Sequence, residues 1–365
     1  MITKRTKSID ASGIRKVFNL ASRMKNPINL SIGQPDFDVP EPIKRKAIEA
    51  LEEGFNKYTP TEGLVPLREK VAARYDFLQA SPDNVLITSG VSGGLLLSFL
   101  VLVEEGDEVI IPDPYFVMYK HLCKLTGGEP VFVDTYPHFK LTPEAVASAI
   151  TERTKLLVMN SPANPTGAAY TEDEIKAITR VAERHDIIVL SDEIYEGFIY
   201  EGEHVPVARH YDRTVTLSGF SKTFAMTGWR VGYAVAEKSI IEEMAKVQQY
   251  TFVCAPSFAQ HAALLAMDHD ISQHLDRYRR KRDAIYGGLK GNFTVERPRG
   301  AFYIFPRAPG GDGNAFAERA IARNLLIIPG EVFSERKSHF RISFAASDED
   351  IERGVAILNE LAKSK

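Results

Sequence analysis

Lys222 lies in the segment Ser218-Gly219-Phe220-Ser221-Lys222-Thr223-Phe224-Ala225-Met226-Thr227-Gly228-Trp229-Arg230, directly after the apolar, strand-like run Thr214-Val215-Thr216-Leu217. A side chain just past a strand end sits where open α/β sheets place their ligands. An amine can form a Schiff base with an aldehyde, and the planar fork of an arginine holds a phosphate through two parallel hydrogen bonds. Lys222 and Arg230 in one segment are therefore the minimum equipment for an aldehyde cofactor whose phosphate is tethered nearby. Alone, the two would read as ordinary surface charges. The residues that end the neighbouring strands decide against that reading.

Three other strand-like runs stop at polar groups. Thr88-Ser89-Gly90-Val91-Ser92-Gly93-Gly94 joins one of them to the apolar helix that begins near Leu95, and such a glycine-rich entry offers free backbone N–H groups to an anion. Asn160-Ser161-Pro162-Ala163-Asn164-Pro165-Thr166-Gly167 ends the second, and Ser191-Asp192-Glu193-Ile194-Tyr195 ends the third. In a parallel sheet these ends converge on one crevice.

Each motif has a plainer explanation. Asn164-Pro165-Thr166-Gly167 has turn-forming composition, and Asp192-Glu193 could cap a helix or hold a metal beside a phosphate loop. No GxxxxGK[ST] occurs, and the Gly90 run is not GxGxxG because Ser92 takes the second glycine position. The 9 histidines show no HExxH spacing, so no metal site is expected. Gly90-Val91-Ser92-Gly93-Gly94 also satisfies G-x-S-x-G between a strand and a helix. A serine hydrolase would combine Ser92 with Asp192 and a later histidine such as His339, leaving Lys222, Arg230, Asn164 and Tyr195 without roles.

The elements that must position these residues alternate. Val85–Thr88, Glu108–Ile111, Val131–Val133, Leu156–Met159, Ile187–Leu190, Val215–Leu217 and Val231–Ala234 read as strands, most without strict alternation, as expected when both faces are buried. Thr171-Glu172-Asp173-Glu174 is a capping box, and Thr142-Pro143-Glu144 opens another helix with proline at its first position. Strand–helix alternation predicts an α/β domain with a mostly parallel sheet. After about residue 270 the pattern changes. Asp276 to Asp283 reads as an exposed helix face, and Gly300–Phe305 and Phe340–Phe344 as strands of a smaller α+β domain. The alternation in Phe340-Arg341-Ile342-Ser343-Phe344 would by itself put Arg341 on a solvated face.

The 365 residues fit roughly two domains. Lys and Arg number 45 against 48 Asp and Glu, which argues against a nucleic-acid or membrane surface built on bulk charge. Two cysteines without CxxC spacing exclude a disulfide framework, and the basic N-terminus lacks an apolar stretch behind it. A cytoplasmic protein is expected.

Asn164-Pro165-Thr166-Gly167, Ser191-Asp192-Glu193-Ile194-Tyr195 and Ser221-Lys222-Thr223-Phe224-Ala225-Met226-Thr227-Gly228-Trp229-Arg230 resemble the class I/II pyridoxal-phosphate aminotransferases of fold type I. Ser31-Ile32-Gly33-Gln34-Pro35-Asp36-Phe37, Tyr58-Thr59-Pro60-Thr61-Glu62-Gly63 and Phe340–Phe344 match in the same order, so the resemblance covers nearly the whole chain. It implies a large cofactor-binding domain over 41–270 and a small domain from 1–40 and 271–365. It also implies pyridoxal 5'-phosphate as cofactor, with Lys222 as Schiff-base lysine and proton carrier and Asp192 paired to the ring nitrogen. Tyr195 and Asn164 would meet the phenolic oxygen, and Phe116 would stack on the ring. Gly90, Val91, Ser92 and Arg230 would hold the phosphate. Arg341 would take the substrate carboxylate, with Gly33 lying against the substrate. Tyr58 would reach the phosphate of a neighbouring subunit, making a homodimer with shared sites.

Three departures stand out: Gly219 where many relatives have serine, Ser92 where aspartate-preferring members can carry lysine, and a short loop between Phe333 and Arg341. The expected reaction is transfer of an α-amino group from an amino acid, of the aspartate or aromatic class, to a 2-oxo acid, with 2-oxoglutarate as acceptor. A carbon–sulfur β-lyase would keep the cofactor and change the reaction. A cofactor-binding regulator would need a DNA-binding domain for which this chain has no spare residues.

Overall fold

The computed structural model describes residues 2–364 except 12, 15, 16, 18–21 and 23. The strands used below are β1 Ile28–Asn29, β2 Val85–Thr88, β3 Glu108–Asp113, β4 Glu129–Asp134, β5 Thr154–Asn160 and β6 Ile188–Asp192. They continue as β7 Thr214–Gly219, β8 Gly232–Val235, β9 Tyr303–Ile304, β10 Leu325–Leu326, β11 Ile328–Pro329 and β12 Phe340–Ser343. A seven-stranded sheet in the order β2-β8-β7-β6-β5-β3-β4 forms the centre. β8 is antiparallel to both neighbours, and the pairs from β7 to β4 are parallel. The strand runs read from the sequence all appear. β2, β3 and β7 are buried at every position, which is why they lack a polar face.

Helices cover both faces of this sheet. The capping box of helix Glu172–Arg184 closes both ways: Thr171 Oγ1 accepts from Glu174 N at 3.3 Å, and Glu174 Oε2 accepts from Thr171 N at 2.7 Å. Thr142 caps Pro143–Ala149 through Ala145 N. Helix Gly90–Leu102 starts directly at the glycine turn after β2 and is buried along most of its length.

Beside the large sheet lies a three-stranded antiparallel sheet, β11-β12-β9, and a parallel pair of β1 with β10. The N-terminal segment thus joins the C-terminal part of the chain, and Ser343 N donates to Leu30 O at 2.8 Å. Helix Ser272–Leu289 corrects the sequence reading of an exposed charged face. Asp276, Arg280 and Asp283 are exposed, but Tyr278, Lys281 and Arg282 are 0%, 2% and 1% exposed. With Ile285 and Leu289 they form the buried stripe of the helix, and the charges are tolerated there because each has partners: Asp36 for Lys281, Glu201 and the Pro298 carbonyl for Arg282. Among the described residues no helix is long and apolar enough to cross a membrane.

Candidate active site

The C-terminal ends of β2, β5, β6 and β7 open onto a cavity of about 820 Å³. Gly33, Val91, Ser92, Phe116, Asn164, Asp192, Tyr195, Lys222, Arg230 and Arg341 all line it. Gly90 lies immediately behind, against Arg230. Tyr58 is not brought to the site of its own chain and is 84% exposed.

One wall is built from the large sheet. Gly90 has φ +66°, and a Cβ there would lie 2.6 Å from Arg230 Nη2. A Cβ on Gly232 would lie 2.9 Å from Gly90 C and Val91 N. Glycine at both positions lets the guanidinium close on the first turn of helix Gly90–Leu102. Arg230 is anchored there by donating to Thr227 O at 2.8 Å and to Ser89 O at 3.2 Å. A helix N-terminus with an arginine across it is a cationic cradle of the size and donor set that suits a phosphate. Gly219 has a local reason as well: a Cβ on it would stand 2.7 Å from Gly232 Cα, so β7 and β8 close without side chains at that end.

Lys222 is held in this cavity by donating to Gly33 O at 2.7 Å. Burial, together with the charges of Arg341 and Arg230, pushes its amine down to about 8, against the opposing pull of Asp192. Asp192 is buried, and burial raises its carboxyl to about 6. Hydrogen bonds from Tyr119 Oη at 2.7 Å and Ile194 N at 3.2 Å work the other way. Asn160 ties the neighbouring strand ends together, donating to Asp192 O at 2.8 Å and accepting from Asn164 N at 2.9 Å.

The opposite wall brings Arg341 in from the smaller sheet. It is 1% exposed, contrary to the solvated face that alternation suggested, because its face of the small sheet is covered by Ser31, Asn164 and the rings of Tyr303 and Phe333. Nη1 donates to Asn164 Oδ1 at 3.0 Å and Nη2 to Ser31 O at 2.7 Å. The guanidinium stands 4.6 Å from the Tyr303 ring centroid and 4.5 Å from that of Phe333. Its Nε has no protein partner. A buried guanidinium whose acceptors are neutral, with a donor to spare, is prepared for an incoming carboxylate. The short loop before it is firmly docked: Tyr115 N donates to Phe333 O at 2.7 Å, and Glu335 accepts from Tyr115 Oη and Lys120 Nζ at 2.7 Å each.

Tyr119, Tyr303 and Asn160 were not picked out from the sequence. Tyr119 carries a usable signal, since it stands three positions after Phe116 and so on the same side of the turn entering helix Met118–Thr126. Tyr303, whose hydroxyl pairs with that of Tyr195 at 2.8 Å, carries none, because only the pairing of β9 with β12 brings it here. Glu193, next to Asp192, serves the loop instead: it accepts from Ser191 Oγ at 2.7 Å and Val207 N at 3.2 Å and pairs with His204 at 2.7 Å. Ligand atoms of Glu193, Glu196 and His204 lie within 4.8 Å of one another, but Glu196 is already engaged by Arg74 at 3.2 Å and Ser218 at 2.9 Å.

The serine-hydrolase reading fails. His339 is buried against Phe305, ring centroids 5.2 Å apart, and its described hydrogen bond is with Ser338. It does not line the cavity, and Asp192 is bonded to Tyr119 and Ile194 rather than to a histidine.

Residues 25–358 match the family model of aminotransferase class I and II. The aspartate aminotransferase of Pyrococcus abyssi is 38% identical, covering 98% of this chain and 97% of its own. The aromatic-amino-acid aminotransferase 2 of Thermococcus litoralis is 36% identical over 100% of this chain and 99% of its own. Among solved structures, the aspartate aminotransferase of Thermus thermophilus with maleate superposes with a TM-score of 0.93 at 36% identity, covering 99% of each chain.

Proposed function

The chain belongs to the class I and II aminotransferases, and we propose that it uses pyridoxal 5'-phosphate to move an α-amino group from an amino acid of the aspartate or aromatic class to 2-oxoglutarate. The observation that carries this reading is the pairing in one cavity of a buried amine lowered to about 8 with a buried arginine that has a free donor. The cradle at Gly90 and Arg230, which any side chain at Gly90 would fill, fits the cofactor's phosphate.

Bound there, the cofactor supplies an electron sink for the charge left when a proton leaves the substrate carbon. Arg230, the N–H groups of Gly90 and Val91, and the Ser92 hydroxyl hold the phosphate. Phe116 would cover the ring, and Asn164 and Tyr195 would serve its phenolic oxygen. Asp192 presents a carboxylate to the ring nitrogen, and the Tyr119 hydrogen bond favours its charged form. Arg341 orients the substrate through its carboxylate, beside the backbone of Gly33. Lys222, whose amine burial and the two arginines push down from the usual lysine range, accepts and returns the proton. The small domain of residues 1–40 and 271–365 closes the site of the large domain, 41–270, against water. We further assign a cytoplasmic homodimer in which the exposed Tyr58 serves the partner's phosphate.

A panel of amino acids incubated with 2-oxoglutarate tests the reaction: an aspartate or aromatic donor should yield glutamate and its own 2-oxo acid. Pyruvate released from a cysteine conjugate without any acceptor would instead support the β-lyase. Borohydride reduction of cofactor-loaded protein should place the label on Lys222, and a label elsewhere would refute the assignment. Co-refolding Lys222→Ala chains with impaired Tyr58→Phe chains should recover more activity than either parent. Merely additive activity would place Tyr58 in its own subunit's site.

A further inference from the structure

We propose that Asp36 is a positioning residue for this site, acting through the main chain of residues 31–36 on both Lys222 and Arg341. The inference rests on the reading of those two side chains given above. Two carbonyls of the segment face the two cations: Gly33 O accepts from Lys222 Nζ, and Ser31 O accepts from Arg341 Nη2, each at 2.7 Å. Between β1 and Asp36 the segment has no helix or strand, so these carbonyls are not set by a ladder.

The far end of the segment is gripped by the buried stripe of helix Ser272–Leu289. Tyr278 Oη donates to Asp36 Oδ1 at 2.6 Å and stands 3.0 Å from the Asp36 amide. Arg277 Nη2 reaches Oδ2 at 3.1 Å, and Lys281 Nζ bonds the same oxygen. Phe37 stacks on His274 with centroids 3.9 Å apart. Lys281 also donates to Ala346 O, three residues after β12, the strand that carries Arg341. One buried ammonium thereby fixes the Gly33 segment relative to Arg341. Burial would raise the Asp36 carboxyl, but the donors and charges of Lys281, Tyr278 and Arg277 outweigh it and hold the group below its usual range. A buried ion pair often adds little stability over an apolar pair of the same volume. What this one adds is a fixed location for a loop whose two carbonyls meet working side chains.

The test uses full-length Asp36→Asn/Lys281→Met, which removes the clamp without stranding a buried charge, with the exposed Asp38→Asn as control. Thermal midpoint, kcat and KM are measured for the best amino donor. The pH dependence of Lys222 acylation is followed by peptide mapping in cofactor-stripped protein. The double variant should keep its thermal midpoint, raise KM and lose on the order of a hundredfold in kcat/KM, the effect of misplacing a site by about 1 Å. Its Lys222 midpoint should fall, because the ammonium loses a carbonyl acceptor. A stable double variant with wild-type kcat/KM and acylation profile would leave Asp36 a structural role only and overturn the proposal. If the double variant unfolds, Tyr278→Phe decides: about tenfold lower kcat/KM at unchanged melting supports the clamp, and unchanged kcat/KM refutes it. A wild-type protein inactive with every donor would sink the functional reading, while the acylation profile would still report on the clamp.

Discussion

The two walls of the cavity are made differently. The wall holding Gly90, Asp192, Lys222 and Arg230 comes from strand ends and turns of a single sheet, and each of its residues sits beside a strand that also appears in the local sequence pattern. The wall holding Arg341 is assembled from residues 31–36, β9, β12 and the loop around Phe333, segments drawn from both ends of the chain. The sheet wall is rigid by its ladder and suits a permanently bound group. The second wall depends on side-chain contacts over long sequence separations and suits a group that comes and goes. Substitutions in the first should therefore show in cofactor retention, and substitutions in the second in substrate KM.

Lys222, on the sheet wall, reaches the second wall by donating to Gly33 O, and its loss should be the largest effect. Lys222→Ala should lower turnover by about ten-thousandfold or more, the upper range for a positioned proton carrier, measured by conversion of a single amino-acid equivalent. In the wild-type protein stripped of cofactor, acylation of this amine should rise with pH through about 8, far below the usual lysine range, because the amine is charged below that value and nucleophilic above it. A midpoint near 10.5 would mean that burial and the two arginines do not act on it as described.

Arg341→Lys tests the second wall. It keeps the charge and loses the fork, and should cost about 2–5 kcal/mol, or roughly 30- to 5,000-fold in kcat/KM for amino acids. Cofactor affinity should hold, and amines without a carboxylate should be little affected. A loss of cofactor would blur the division between the walls.

Tyr119→Phe probes the floor of the first wall. Removing a hydrogen bond to a charged group is worth about 1.5–3 kcal/mol, or roughly 10- to 150-fold in kcat. The Tyr119 bond lowers the Asp192 carboxyl, so its removal should raise that group. The ionised form is then lost at higher pH, and the acid limb of the kcat profile should move upward. A profile that stays in place would free Asp192 from Tyr119.

The smallest effect is expected from Gly90→Ala. A Cβ there, 2.6 Å from Arg230 Nη2, displaces the guanidinium from the helix N-terminus, and the weakened hold on the phosphate should cost about 1–2 kcal/mol of binding. Equilibrium dialysis should show this as roughly 5- to 30-fold weaker cofactor binding, with substrate KM unchanged once the protein is saturated. A raised KM instead would show that the two walls are coupled.

The large sheet, its helices and the residues at its strand ends are legible in local sequence. β-branched runs, the capping box at Thr171 and the glycine turn at Gly90 are short-range signals, and a parallel sheet brings successive strand ends to one edge whatever the details. Tertiary structure alone decided three things. Arg341 alternates with Phe340 and Ile342 as an exposed residue would, and only the covering of its own face of β12 buries it. Lys281 and Arg282 read as surface charges, and only the docking of their helix on Asp36, Glu201 and the Pro298 carbonyl turns them inward. Tyr303 meets Tyr195 only through a strand pairing between distant segments. A buried charge looks like any other charge in a sequence, because the partners that make its burial tolerable are supplied by residues far along the chain.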